Sequence, residues 1–314
     1  MARFAEGKPF AESERRPVIL ALSAMKKLSP SDEARYSVPA AGRAAFADPF
    51  ARGRILSVRG RLRSIAKEQL TDDEIARVYP EVDAMAADDP RRTFYRVELE
   101  AEGAEKVTAF SLQVPKALAD RGSLDEPGGV TGLYVKHGGP APGELPLLVA
   151  AHVAWYPDTP LGKLGMDVAL FDDVRDFSTD LKFERECFYQ LLAAMRRADL
   201  GVLLDQTNRE YSAVPLFNDP KSMRGELVAL QGKARRATEV LVKDADIRSR
   251  FGIDRFYEVE IFTRDSQSNP IIFNLTSLPA DFPISEDISE DVRIPGAYLT
   301  GFVYNRDATI EERE

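Results

Sequence analysis

Apolar and polar positions alternate along this chain in short runs bounded by Gly, Pro, Asp and Asn, the signature of strands punctuated by turns. Two runs share a preface. Residues 46–62, FADPFARGRILSVRGRL, and 217–234, FNDPKSMRGELVALQGKA, both read Phe-x-Asp-Pro, then Arg/Gly punctuation, then an alternating stretch carrying Val/Leu-x-Gly. In the first, Ile55, Val58, Leu62 and Ile65 form the apolar face of a long strand, with Arg59, Arg61 and Arg63 on the other. The alternation slips near Leu56 and Ser57, which predicts a bulge or strong coiling there. Residues 93–101 alternate again, with Tyr95, Val97 and Leu99 inward and Arg96, Glu98 and Glu100 outward. Further strands are expected at 107–114, 130–136 and 147–155, with a short helical turn over 115–122 and an acidic helix over 71–87. Ahead of them, Val18, Leu22 and Met25 lie at i, i+4, i+7, with Leu28 closing the stripe of a helix that 29–32 ends.

The second half repeats this plan. Aligning ERRPVILALSAMKKL with ERECFYQLLAAMRRA matches Glu14 to Glu184, Leu22 to Leu192 and Met25 to Met195, an offset of 170. Residues 227–234 match the first strand and 256–260 match 94–98. Residues 271–278, followed by Pro279, match the strand that ends at Pro115, and 299–302 match 130–133. On this alignment a fifth strand of the second unit would begin near residue 314. The second unit is therefore expected to be open, or to take its last strand from the N-terminal leader, another chain or sequence outside these residues. An open edge invites pairing with a partner strand. The expected organisation is a leader and helix (1–45), a first barrel (46–157), an apolar connector with a helix (158–215) and a second barrel (216–314).

Three strands, a small helix and two more strands is the order of the five-stranded Greek-key barrel called the OB-fold. The chain thus resembles tandem OB-fold-like proteins, and uncharacterised bacterial proteins that use a helix-plus-barrel unit twice. The fold this implies is mainly β with helical connectors (α+β), in two OB-like barrels, the second lacking its last strand. OB-folds bind oligonucleotides, oligosaccharides or proteins through strands two and three and nearby loops. One architecture hosts many roles, and no functional residue of a characterised OB family maps onto this chain.

Composition narrows the function classes. With 314 residues, 44% hydrophobic and 30% charged, the chain has material for two globular cores. A net charge of −9 argues against a general nucleic-acid binder, which needs clustered Lys and Arg. One cysteine, Cys187, excludes an intrachain disulfide and a multi-cysteine zinc site. No apolar run reaches the 18 or so residues of a membrane span, and residues 18–22 are too short for a signal-peptide core, so the chain reads as soluble and unexported.

The candidate ligand-binding residues are the basic stripe Arg59, Arg61, Arg63 and Lys67, with a weaker counterpart in Lys233, Arg235 and Arg236. The competing reading pairs these cations with strand-two glutamates, Glu98 and Glu100 in one unit and Glu258 and Glu260 in the other, with no ligand needed. Tyr95, Phe110, Tyr257 and Phe273 fall on inward positions and read as core, not as base-stacking platforms. His137 and His152 lack companions for a metal site. Acidic runs at Asp72, Asp73 and Glu74, at Asp88 and Asp89, and at Asp172 and Asp173 read as solvated caps. The pairs Gly128/Gly129 and Gly138/Gly139 read as turns, and Asp48-Pro49 and Asp219-Pro220 as Asx-type turns. The apolar segment 161–174 is expected to pack on a barrel or join the two, where a ligand groove would fit. No nucleophile, Walker or Rossmann motif is present, and no cofactor or metal is expected. The favoured function is a non-enzymatic binding or scaffold protein working through protein contacts, including self-association at the open edge. The alternatives are single-stranded nucleic-acid or other oligomer binding, and an enzyme with an inter-domain site.

Overall fold

The computed structural model describes residues 4–5, 8–40, 45–46, 48, 50–101, 103, 105–138, 145–177, 184–207 and 212–301. The chain divides into two units, Met1–Thr159 with Asp167–Ala169, and Pro160–Met166 with Leu170–Glu314.

The first unit carries β1 (Ser37–Pro39), β2 (Ile55–Gln69), β3 (Thr93–Ala101), β4 (Lys106–Gln113), β5 (Glu126–Lys136) and β6 (Leu147–Trp155). From β2 the pairing runs antiparallel to β3, antiparallel to β4, parallel to β6, antiparallel to β5, and back antiparallel to β2, which closes a five-strand barrel. The short β1 lies parallel to the start of β2. Leu56, Val58 and Leu62 point inward, as does Ile65, so the phase slip falls at Arg63 rather than near Leu56. The pairing gives the reason: between Leu62 and Ser64 the register against β3 shifts by one residue, and Arg63 is the bulged residue.

The helix Arg15–Met25 covers the outside of this barrel. Its buried Val18, Ile19, Leu22 and Met25 pack on Phe94, Phe110 and Val149, so Phe110 is core, but of the layer under the helix. Each such side chain contributes about 1.5–3 kcal/mol. Four of them outweigh any cap, and the N-terminal Glu14 side chain caps nothing within the helix. Ser29 does not simply end the helix; it caps a new one, Pro30–Tyr36. The acidic insertion is helical only over Asp72–Val78, capped by Thr71 and Glu74, because Pro80 disfavours helical backbone at Tyr79. Gly128 and Gly129 are not turn residues. They sit inside β5 opposite Gly60 and Arg59, where a methyl on Gly128 would come within 2.7 Å of Leu62.

The second unit carries β7 (Leu227–Leu241), β8 (Arg255–Phe262), β9 (Ile271–Leu275) and β10 (Glu290–Ala297) in the order β10-β7-β8-β9, a curled four-strand half-barrel. Its register repeats that of the first unit. Ile65 faces Val97 as Ala237 faces Val259, and Leu62 faces Leu99 as Ala234 faces Ile261, with the bulge at Arg235 where the first unit has Arg63. Leu124 N–H donates to the Arg63 carbonyl at 2.9 Å, as Ile288 N–H does to Arg235 at 3.0 Å. Gly53 and Gly225 both take left-handed φ, +84° and +83°. Their N–H groups donate to the Tyr134 and Tyr298 carbonyls, each at 2.8 Å. The same tyrosines donate through their hydroxyls to Phe46 O (2.8 Å) and Leu216 O (3.0 Å), which ties the Phe-x-Asp-Pro segment to the barrel wall. Asp48 Oδ1 accepts from Phe50 N–H and Asp219 Oδ1 from Ser222 N–H, so both aspartates cap turns; Pro49, like Gly139 and Phe302, lies outside the described residues. Within the connector, Leu161 and Met166 are buried, and a side chain at Gly225 would strike the Phe171 ring at 2.8 Å.

One match is corrected. Ala297 pairs with Leu227 as Leu133 pairs with Ile55, so Gly296, not Gly301, stands where Gly132 does. The Thr-Gly identity at 300–301 misled: those residues follow the strand and bind Asp176 through Thr300 Oγ1 (3.0 Å) and Gly301 N–H (3.3 Å).

Glu14 and Glu184 occupy matching places at the heads of their helices, both buried, with backbone φ of −91° and −94°. Their electrostatics differ. Glu14 holds the buried Lys136 ammonium at 2.7 Å and accepts from Ala5 and Ala11 N–H. Burial pushes its carboxyl up, but Lys136 and those amides more than offset this, and the net position lies below the usual carboxylate range. Burial also pushes Glu184 up; the Arg175 N–H at 2.9 Å only partly opposes it, and the net position is raised. Thr300 stands where Lys136 would be.

Three outcomes follow from this geometry. Gly60→Ala and Gly232→Ala add methyls that would overlap the carbonyls of Glu100 and Phe262, so each is expected to cost about 1–3 kcal/mol in urea unfolding. Parent-like midpoints would show the strands are not held that close. Glu14→Gln removes a carboxylate from a buried pair and is expected to cost roughly 3–5 kcal/mol at neutral pH. Because the folded pKa is depressed, that contribution is present above the unfolded carboxylate pKa and fades as pH falls through the folded value. Glu184 has the opposite sign: stability rises as pH falls through its raised pKa, so Glu184→Gln should be neutral or stabilising at pH 7. Equal losses for both variants across a pH series of unfolding curves would refute this assignment.

Candidate functional site

The alternation of β2 points Arg59 and Arg61 away from the barrel interior, and the bulge turns Arg63 out beside them. Every cation of the first stripe has a partner. Arg61 Nε lies 2.5 Å from Asp125 Oδ1, and Arg63 reaches the same carboxylate while also pairing with Glu100 Oε2 at 2.8 Å. Lys67 Nζ is 2.5 Å from Asp120, and the Arg59 guanidinium lies over the Tyr156 ring at 4.7 Å. The Arg61 guanidinium, helped by Arg63, holds Asp125 below the ordinary carboxylate range. The glutamate pairing expected across the strands is present at Glu100, while Asp125, from the turn before β5, does more of the neutralising.

The second stripe sits on the same frame with the counterparts of Glu100 and Asp125 replaced. Lys233 faces Phe262 as Arg61 faces Glu100, and Arg235 takes the bulge. Glu290 pairs with Ala234 as Glu126 pairs with Leu62, which puts Ser289 where Asp125 stands. Among the described residues Arg235 meets a hydroxyl there, Ser289 Oγ at 3.3 Å. Lys233 contacts Asp291 at 3.2 Å, a carboxylate 87% exposed, and a pair so open to water contributes about 0–1 kcal/mol. Arg236 is turned to Glu286 at 3.1 Å.

Lys233 and Arg235 line a concavity of about 470 Å³, joined by Phe262, Thr263 and Arg264 at the end of β8 and by Gln267 and Ser268 in the loop to β9. That loop is braced. Asp265 accepts from Ser212 Oγ (2.6 Å), Ala213 N–H (2.9 Å) and Thr263 Oγ1 (2.7 Å), and these donors, Ser212 first, hold its carboxyl below the usual range. Gln267 and Ser268 take left-handed φ of 51° and 64°, a conformation that non-glycine residues adopt at a cost and that concentrates at ligand sites.

No protein-family model matches the chain, and no curated protein sequence matches it at a significant level. Among solved structures the chain is similar to the crystal structure of a protein assigned as an aspartyl-tRNA synthetase from Leishmania major Friedlin, with 12% identity and a TM-score of 0.25. The match covers 72% of this chain and 46% of that one, so this chain spans less than half of that protein's length. So slight a likeness carries no argument about fold or function.

Of the sequence candidates, Arg59, Arg61, Arg63 and Lys67 stand together on the first barrel, and Lys233 and Arg235 on the second sheet. Arg264, Phe262 and Ser289 were missed. Extending the match of 94–98 with 256–260 by two residues sets Phe262 against Glu100, the signal for that residue; Ser289 is matched to Asp125 only by the strand register. His137 Nδ1 lies 3.0 Å from both Tyr134 Oη and Phe46 O, and His152 is 4.0 Å from Glu33. Among the described residues no three His, Cys, Asp or Glu are grouped to hold a metal ion, and no helix is long and apolar enough to cross a membrane.

The first stripe's pairs are exposed and screened. Asp125→Ser is expected to change stability by about 1 kcal/mol or less, with the difference shrinking as salt rises. A loss several times larger in a thermal melt would mean these pairs hold the barrel closed.

Proposed function

We propose that this chain is a non-enzymatic binding protein of two OB-type units, working through protein contacts at the open seam of the second. What supports the OB reading is the strand path: first to second to third, third parallel to fifth, fifth to fourth, and fourth back to first. The half-barrel follows the same path in the same register as far as its fourth strand.

The seam is the observation that carries the functional reading. In the first barrel β6 lies between β4 and β5, so close that a methyl on Gly132 would come within 2.7 Å of the Val149 carbonyl. In the second unit, among the described residues, no strand lies between β9 and β10. The buried Phe273 ring packs toward β10, 3.1 Å from where a methyl on Gly296 would sit. Ala109 takes that place in the first barrel. On the next residue of β9, Asn274 Oδ1 is buried with no hydrogen-bond partner among the described residues, a cost of about 1–3 kcal/mol. A strand accepted here runs parallel to β9 and antiparallel to β10, as β6 runs in its own barrel. The simplest donor is a second copy of the chain.

The nucleic-acid reading through the first arginine stripe is weakened by the carboxylates that neutralise it. Light scattering on the full chain tests the seam: a dimer is expected, and Ile272→Lys on the β9 edge should return it to monomer, since an edge lysine blocks strand pairing. A parent protein that stays monomeric at all concentrations overturns strand acceptance in trans.

A further inference from the structure

We propose that the concavity of the second unit is a site for a small phosphate-bearing anion with at least two negative charges, a diphosphate group being the chemistry that fits. This inference is independent of the seam between β9 and β10, and either stands if the other falls.

The argument starts from subtraction. Two matching positions carry acids in the first unit, Asp125 and Glu100, and there the cations are spent on them. The second unit keeps a cation at both stripe positions, Lys233 and Arg235, while the acids have become Ser289 and Phe262. Lys233 faces a different cross-strand carboxylate, Asp291, where the first unit has Pro127, but that acid is 87% exposed, and among the described residues Arg235 meets a hydroxyl in place of Asp125. A third cation, Arg264, joins them on the same hollow, in a protein whose net charge is −9. Like charges gathered this way repel one another, and a bound polyanion relieves that repulsion.

The chemistry of the lining favours phosphate over a single carboxylate. Arginine presents a planar fork that matches phosphate oxygens two at a time, and lysine adds a compact point charge. Gln267 and Ser268 add neutral hydrogen-bonding groups around them, on a loop braced by Asp265, to which the Thr263 hydroxyl donates. A hollow of about 470 Å³ is sized for a small molecule. Among the described residues Asp291 is the acid paired to a lining cation, and its exposure makes it easy to displace.

The test is calorimetric titration of the full chain with inorganic pyrophosphate, ADP and a single-stranded oligonucleotide at low and moderate salt. Pyrophosphate and ADP are expected to bind in the micromolar range, weakening with salt. Arg235→Ala and Lys233→Ala should each weaken binding about tenfold, the effect of losing roughly 1.4 kcal/mol. Arg61→Ala with Arg63→Ala should change nothing. Ser289→Asp, which restores the first unit's acid while keeping every cation, should also weaken binding. That variant separates loss of the site from loss of the fold. The proposal is overturned if pyrophosphate does not bind, if Ser289→Asp and Arg235→Ala bind like the parent, or if only the oligonucleotide binds, with affinity growing with its length.

Discussion

The close passage of backbone over Gly60 and Gly232 governs the architecture. At Gly60 the long β2 is paired on both sides at once, to Gly128 of β5 and to Ala101 of β3. Before that point it belongs chiefly to one neighbour and after it to the other. A strand can be shared this way only if it coils sharply. The missing Cβ lets the neighbouring carbonyl come in, and the bulge three residues on adds the twist. Closure of the first barrel depends on that turn of the strand, and the curl of the second sheet repeats it at Gly232 and Arg235. The left-handed Gly53 and Gly225, with the tyrosines that answer them, hold the start of the same strand in place.

On this shared frame the two units differ by a few side chains with large consequences. A strand lies between β4 and β5 in one, and among the described residues none lies between β9 and β10 in the other, where Phe273 stands at the place of Ala109. Acidic partners neutralise the stripe in one, and a serine and a phenylalanine replace them in the other. The exchanges at the stripe do not disturb the register, because they lie on outward positions or in a turn, where backbone pairing does not depend on the side chain. The buried positions change less freely: Leu62 and Ala234, Val97 and Val259, and Leu99 and Ile261 remain apolar throughout.

Much of this was legible in the sequence for a physical reason. Alternation and helical stripes record burial, and the first-barrel strands, the helix stripe of Val18, Leu22 and Met25, and the matched segments 94–98 and 256–260 all sit where burial demands. What failed was information carried by pairing rather than burial. The bulge at Arg63 looks like a phase error that an apolar pattern places several residues early. The Thr-Gly identity at 300–301 outweighed the correct match of Gly296 to Gly132 because local identity is blind to register. Gly128 and Gly129 read as a turn, since the carbonyl and side chain that crowd them come from distant strands. The charge balance of each stripe was illegible for the same reason: Asp125 lies 62 residues from Arg63 and shows its role only once β5 is laid beside β2.

The buried glutamates carry the same logic into the interior. At the head of each helix a carboxylate is taken out of water, which is costly unless a charge or several donors meet it. The first unit meets it with Lys136 and two amides, and the pair pins the helix to the end of β5 in a form that favours the ionised state. The second unit offers one amide and places Thr300 where the lysine would be, and that threonine is drawn instead into the Asp176–Arg224 pair, whose ions lie 2.6 Å apart. A carboxyl so placed favours its neutral form, so the second unit gains from protonation where the first loses. The contrast at the stripe is one of degree: the first unit pairs Arg61 and Arg63 with Asp125 and Glu100, while the second pairs Lys233 with an exposed Asp291 and turns Arg235 to a serine hydroxyl. The first unit thus meets its buried charge from within, while the second, among the described residues, leaves a buried amide oxygen unmet.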